Sequence, residues 1–177
     1  EDTQGNYLST VYVTHKIATQ SWQASGGNRR KEALPHWCYS RGVKYDDGLY
    51  LPTKKEPLID GISGATPHES FDIKLNPATA LKKFVVKIEI NHSTDFNEAF
   101  PKSAKDEEAN YSGGKEGSGQ PAIVYAANVD LSSGEKSFEA NLMGHSSPDG
   151  SSGEVNKDTS GLTTALHIVK RITVIIQ

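Results

Sequence analysis

The heptapeptide Asp60-Gly61-Ile62-Ser63-Gly64-Ala65-Thr66 brings two hydroxyls, one carboxylate and two glycines together within a few positions. Gly61 and Gly64 leave the backbone free to approach another molecule closely, and Ala65 adds little bulk. Ser63 and Thr66 supply oxygens that a transferring enzyme can esterify. Placing a phosphoryl group on a side chain calls for this combination, because the acceptor hydroxyl must be exposed among small neighbours. Asp60 is suited to orient the loop or a metal ion. The same residues also make a plain turn leading into a strand, and composition alone does not separate the two readings.

Other chemistry is thinner along the chain. The histidines His15, His36, His68, His92, His145 and His167 form no pair at helical ligand spacing and no His-rich tract, so no metal site is expected. Cys38, the single cysteine, lies between Trp37 and Tyr39 and reads as a small buried residue rather than a nucleophile. No Gly-x-Ser-x-Gly elbow occurs, which removes the usual basis for a hydrolase triad. Residues 91–98 concentrate oxygen ligands after a strand, but without the ordered spacing of a calcium loop, and they read as a turn. Trp22, Trp37, Tyr39, Tyr45 and Tyr50 gather in the first third, either as core packing or as a stacking platform for a ring system. No catalytic constellation emerges.

A chain of 177 residues is long enough to bury a core without staples, so one domain over 1–177 is expected. The apolar fraction of 35% is low, and 16 Gly with 8 Pro call for many turns between short elements. With a net charge of −3 and no clustered basic residues, the chain carries no footprint for nucleic acid. No apolar run approaches the roughly 20 residues that span a bilayer, so the chain is expected not to be transmembrane.

The elements that must position these residues read mainly as strands. Residues 7–14 alternate and are rich in aromatic and β-branched types; Gly5-Asn6 before them looks like a hairpin turn whose preceding strand would lie upstream of Glu1. Leu34 to Tyr39 form an apolar clump in which Pro35 argues against a helix interior, giving a short buried strand. Residues 71–75 and 84–90 alternate apolar with charged positions, and further strands are expected at 122–130, 137–143 and 171–176. Residues 163–169 fit a helical turn or a strand about equally. The stretch 97–121 is a long polar loop. Together these predict an all-β chain, an immunoglobulin/fibronectin-like β-sandwich with long loops and at most one short helix.

The heptapeptide resembles the acceptor motif of bacterial FMN transferases, Asp-x-x-Ser/Thr-Gly-Ala-Thr/Ser, and the match is complete. The resemblance implies that Thr66 takes FMN through a phosphoester after transfer from FAD, with Asp60, Ser63, Gly64 and Ala65 as the motif around it. A second resemblance covers nearly the whole chain. The segment Glu1-Asp2-Thr3-Gln4-Gly5-Asn6-Tyr7-Leu8-Ser9-Thr10-Val11-Tyr12-Val13-Thr14, then Leu34-Pro35-His36-Trp37, residues 60–67, and Gly119-Gln120-Pro121-Ala122-Ile123-Val124-Tyr125 are similar to an uncharacterised bacterial envelope domain family that sometimes occurs beside flavin-transfer or electron-transfer systems. Such relatives often carry Ser where Gly64 stands, and Gly64 restores the transferase-like form. This resemblance implies an extracytoplasmic β domain, in the periplasm or at the cell surface.

Two functions follow as expectations. One is a flavin-carrying electron-transfer module, modified by an FMN transferase and serving a redox partner. The other is a non-catalytic binding or structural module of the envelope that assembles with itself or with a partner protein.

Overall fold

The computed structural model describes residues 1–21, 29–58, 62–74 and 81–177. Strands predominate over a few short helices, and the strands fall into three small sheets. In chain order they are β1 (Tyr12–Thr14), α1 (His15–Thr19), α2 (Pro35–Ser40), β2 (Ile62–Gly64), β3 (Lys83–Ile90), β4 (Ile123–Asp130), β5 (Ser137–Glu139), β6 (Asn141–His145) and β7 (Thr173–Ile175). Short 3-10 turns lie at Gly114–Glu116 and Thr164–His167. The second of these answers the open reading of 163–169 as a helical turn.

The centre of the fold is the antiparallel sheet β3–β4–β6. Alternation decides its faces, because successive side chains in a strand point to opposite sides. Phe84 pairs with Val129, Val86 with Ala127, Ile88 with Tyr125 and Ile90 with Ile123, so one face is continuously apolar. The antiparallel ribbon β5–β7 lies against that face, where Phe138 and Val174 join Phe84, Val86, Ile88, Ala127 and Val129 in one cluster. Farther along, Phe100, Ile123, Leu162 and Ala165 form a second cluster backed by Ile90 and Leu166. Ile123 and Val124 are fully enclosed. Removing most of a side chain such as Ile123 would cost about 2–5 kcal/mol, because a packed interior cannot close the hole.

A third, smaller core holds Val13, Ile17, Ala18 and Ala33 with Leu34, Trp37 and Leu58 against it. It packs β1, α1 and α2 together, and β2 lies alongside β1 as its parallel partner.

Several expected elements take another form. Residues 35–40 are helix α2, not a strand: Pro35 occupies the first turn, where its missing N–H would have no partner in any case and its fixed φ suits the helix. With α1 as well, there is more than one short helix. Within 7–14 only Tyr12–Thr14 is strand, because the chain turns directly into α1. Phe71 to Lys74 are irregular and mostly exposed, paired with no strand among the described residues; Leu75 lies outside them. The span 137–143 divides at Ala140 between two sheets, β5 pairing with β7 and β6 with β4. At the start of the chain, Asp2 closes a turn by accepting the Gln4 and Asn6 amides at 2.8 and 2.9 Å, with Gly5 at φ +87°. Glu1 meanwhile exchanges backbone hydrogen bonds with Val85 on β3.

The long stretch 97–121 has no strand but is firmly attached. Gln120 is buried, donates to Asp95 at 2.8 Å and to Thr164 at 2.5 Å, and accepts the Thr163 amide at 2.6 Å. Ser112 and Ser118 are also enclosed, and Arg30 reaches Ser118 at 3.1 Å while pairing with Glu32 at 2.9 Å. A polar segment of this length stays in place because its buried polar groups find partners.

Candidate functional site

Ser63 and Gly64 lie on β2, which runs parallel to β1 with Tyr12 opposite Ile62, Val13 opposite Ser63 and Thr14 opposite Gly64. Beyond the strand the chain leaves the sheet at Ala65 and Thr66. Ser63, Ala65 and Thr66 are exposed, and the Ser63 and Thr66 hydroxyls make no hydrogen bond among the described residues. Asp60 and Gly61 lie outside the described residues, so the acidic member of the motif has no described position.

Tyr12 holds this loop. Its hydroxyl donates to the Ala65 carbonyl, and its ring lies on the backbone at Gly64. A Cβ at Gly64 would come within 3.1 Å of the Tyr12 Oη and 3.2 Å of Cε2, closer than ordinary van der Waals contact. The glycine therefore permits the hydroxyl end of the Tyr12 ring to come close to the motif, a close-approach role rather than a conformational one. Tyr12 also meets Phe71, with ring centroids 5.6 Å apart and planes tilted by 51°. Phe71 is 54% exposed. The result is an open hydroxyl beside a partly open aromatic pair, a setting in which Thr66 is reachable by an incoming enzyme.

A second polar cluster has the opposite character. On β3, Lys87 and Glu89 point away from the apolar face, as alternation requires, and α2 covers them. The Glu89 carboxylate accepts the His36 amide at 3.1 Å, the Trp37 amide at 2.7 Å and the hydroxyl of the enclosed Ser146. These donors are free because the first amides of a helix have no intrahelical acceptor. Burial pushes the Glu89 carboxyl up to about 7, against the pull of its three donors toward the ionised form.

The His36 ring lies between Gly153 and Lys87. Nδ1 is 2.7 Å from the Gly153 carbonyl and Nε2 is 3.1 Å from Lys87 Nζ, while Lys87 also pairs with Glu1 at 2.9 Å. An ammonium can only donate, so Nε2 accepts and Nδ1 carries the proton. Burial, with the Lys87 charge adding to it, lowers the His36 pKa and keeps the ring neutral.

Ser146, His36 and Glu89 thus include the residue types of a nucleophile, a base and an orienting acid, yet they are not wired as one. Ser146 donates to Glu89, and the His36 ring is committed to Gly153 and Lys87. Cys38 is buried beneath them, and desolvation together with the Glu89 charge raises its thiol far above the reactive range. This cluster docks a helix onto a sheet.

Several other residues are engaged in packing or turns. Trp37 packs against the small core and donates to Thr10 at 2.9 Å, and Tyr39 stacks on Tyr50 with centroids 4.3 Å apart. Trp22 lies outside the described residues. Asp95, in the oxygen-rich segment 91–98, accepts from Thr164 at 2.6 and 2.8 Å and from Gln120. Asp149 accepts the Ser151 amide at 3.0 Å within its own turn, and Gly150 there has φ +70° with no room for a side chain against the Lys31 carbonyl. Among the described residues no group of His, Cys, Asp and Glu side chains converges to hold a metal ion, and no helix is long and apolar enough to cross a membrane.

Sequence reading missed Tyr12 and Phe71 as neighbours of the motif, having placed both in ordinary strands. It also passed over Glu89, whose position on a half-polar strand is that of any solvent-facing charge. No family model, curated protein or solved structure matches the chain.

Proposed function

We propose that this protein is an extracytoplasmic flavin-carrying module, with FMN bound covalently to Thr66, that passes electrons to a redox partner. One observation carries the reading. The residue that the acceptor motif marks for modification is exposed, and its loop is held out by Tyr12 through the Ala65 carbonyl. The polar cluster beneath α2, by contrast, is saturated with internal hydrogen bonds and offers no free nucleophile.

Attachment is a transfer from FAD by a separate FMN transferase. Thr66 Oγ1 forms the bond to the phosphorus of the FMN half, the pyrophosphate P–O bond breaks, AMP leaves, and the hydroxyl proton passes to a base of the transferase. The residues here fit that step: the acceptor hydroxyl is open, Ala65 is small, and Gly64 lets the loop lie close against Tyr12. Once bound, the flavin ring supplies one- and two-electron transfer. The chain's own part is to anchor and present the ring. We read the β3–β4–β6 sheet and the facing β5–β7 ribbon as the layers of an immunoglobulin/fibronectin-like sandwich, which gives the loop a stiff support.

The test is intact mass after co-expression with a bacterial FMN transferase in a compartment that supplies FAD. The expected result is one FMN increment, mapped to the peptide containing Thr66 and absent from Thr66→Ala. An unmodified mass under those conditions rejects the carrier reading and leaves the domain as a non-catalytic envelope module.

A further inference from the structure

We propose that Tyr12 and Phe71 form the seat for the isoalloxazine ring of a flavin carried on Thr66; this rests on the flavin reading above. Three observations converge on it. The Tyr12 ring lies directly against Gly64 and its hydroxyl is bonded to the Ala65 carbonyl, so the ring reaches to within one residue of the attachment point. Phe71 packs on Tyr12 with centroids 5.6 Å apart at 51°, an arrangement that leaves part of its ring unpaired. Among the described residues, Phe71 is also the only aromatic side chain among the large exposed apolar ones, at 54%.

An open aromatic ring gains from a planar partner, because ring pairs contribute beyond the area they bury and favour offset or tilted contacts. The flavin ring is such a partner, and its flexible ribityl phosphate would tether it beside the pair. Tethering makes docking intramolecular, so even a weak contact is well populated. The chain between Thr66 and Phe71 is short and irregular, so the same excursion that exposes the hydroxyl folds the second ring back toward Tyr12. Gly64 belongs to the same arrangement, since a side chain there would displace the Tyr12 ring.

The experiment uses the full chain loaded with FMN by co-expression, comparing wild type with Phe71→Leu and Phe71→Trp. Attachment is scored by intact mass, folding by thermal melting, and ring docking by flavin fluorescence, which stacking on an aromatic side chain quenches. Phe71→Leu keeps an apolar residue but removes the ring. At full loading and unchanged melting, it should lower the docked-to-free ratio of the flavin by about fivefold, the worth of one aromatic contact, and so brighten the flavin. Phe71→Trp should restore the quench. Full loading with equal fluorescence in wild type and Phe71→Leu overturns the seat and leaves attachment at Thr66 standing. Absence of the FMN increment in wild type overturns both.

Discussion

The loop at 62–66 and the cluster beneath α2 are made from the same chemistry and put it to opposite uses. Each combines hydroxyls, backbone carbonyls or amides and an aromatic neighbour. Under α2 the groups are enclosed and matched: the Glu89 carboxylate takes two helix amides and a serine hydroxyl, and His36 divides its nitrogens between Gly153 and Lys87. At the loop, the Ser63 and Thr66 side chains are exposed, while the backbone is held by the β1–β2 pairing and by the bond from Tyr12 to the Ala65 carbonyl. A buried hydroxyl that lost its partner would cost about 1–3 kcal/mol, so it is committed to structure. An exposed one loses nothing by reacting, which makes it available to a modifying enzyme.

That contrast is most sharply broken at Thr66. Thr66→Ala should abolish the FMN increment completely while changing stability by no more than about 0.5 kcal/mol, as measured by mass spectrometry and denaturant unfolding. A large stability loss there would mean that the loop is structural after all. The reverse is expected at Glu89. Glu89→Ala strands the His36 and Trp37 amides and the Ser146 hydroxyl, and should cost about 3 kcal/mol in urea unfolding without preventing attachment in the protein that remains folded.

Glu89 also carries a pH signature. Its folded pKa, about 7, lies above the ordinary value of 4.5, so the folded state holds this proton more tightly. The resulting stability is complete below about 4.5, declines as pH rises through 7, and is then constant; its ceiling is about 3 kcal/mol. His36 works in the other sense, because its lowered pKa contributes stability above the usual imidazole range that is lost as pH falls. Unfolding of wild type and Glu89→Gln between pH 4.5 and 7.5 separates the two: the variant should lack the decline and keep the histidine's rise. Parallel curves would place the Glu89 carboxylate in water.

Smaller effects sharpen the picture. Lys87→Met leaves the largely buried Glu1 carboxylate and His36 Nε2 without their donor and should cost about 1–3 kcal/mol in urea unfolding. Tyr12→Phe keeps the ring but removes the hydrogen bond to Ala65, and should slow flavin loading about fivefold in a timed mass assay, the worth of one hydrogen bond.

Much of the central sheet was legible from alternation and from the spacing of turns. Residues 84–90 have the period of a strand and form β3, while 122–130, expected as a strand from its spacing between turns, forms β4; both turn apolar residues toward one cluster. The acceptor-like motif was also plain in its residue types. Residues 34–39 were less legible: Pro35 looks like a breaker unless its place in the first helical turn is known, and that place depends on where Glu89 waits to receive the amides of α2.

By itself, the sequence determined which residues share a face, which segments are polar, and which hydroxyls stand among small neighbours. Tertiary structure alone decided what covers each face. Periodicity is local, repeating every two residues along a strand, whereas covering is a contact between segments far apart in the chain. The polar side of β3 therefore reads as solvent-facing until α2 and Glu1 are seen lying across it. By the same logic Tyr12, 53 positions before Ala65, reads as one more strand aromatic until the fold sets its hydroxyl against that carbonyl.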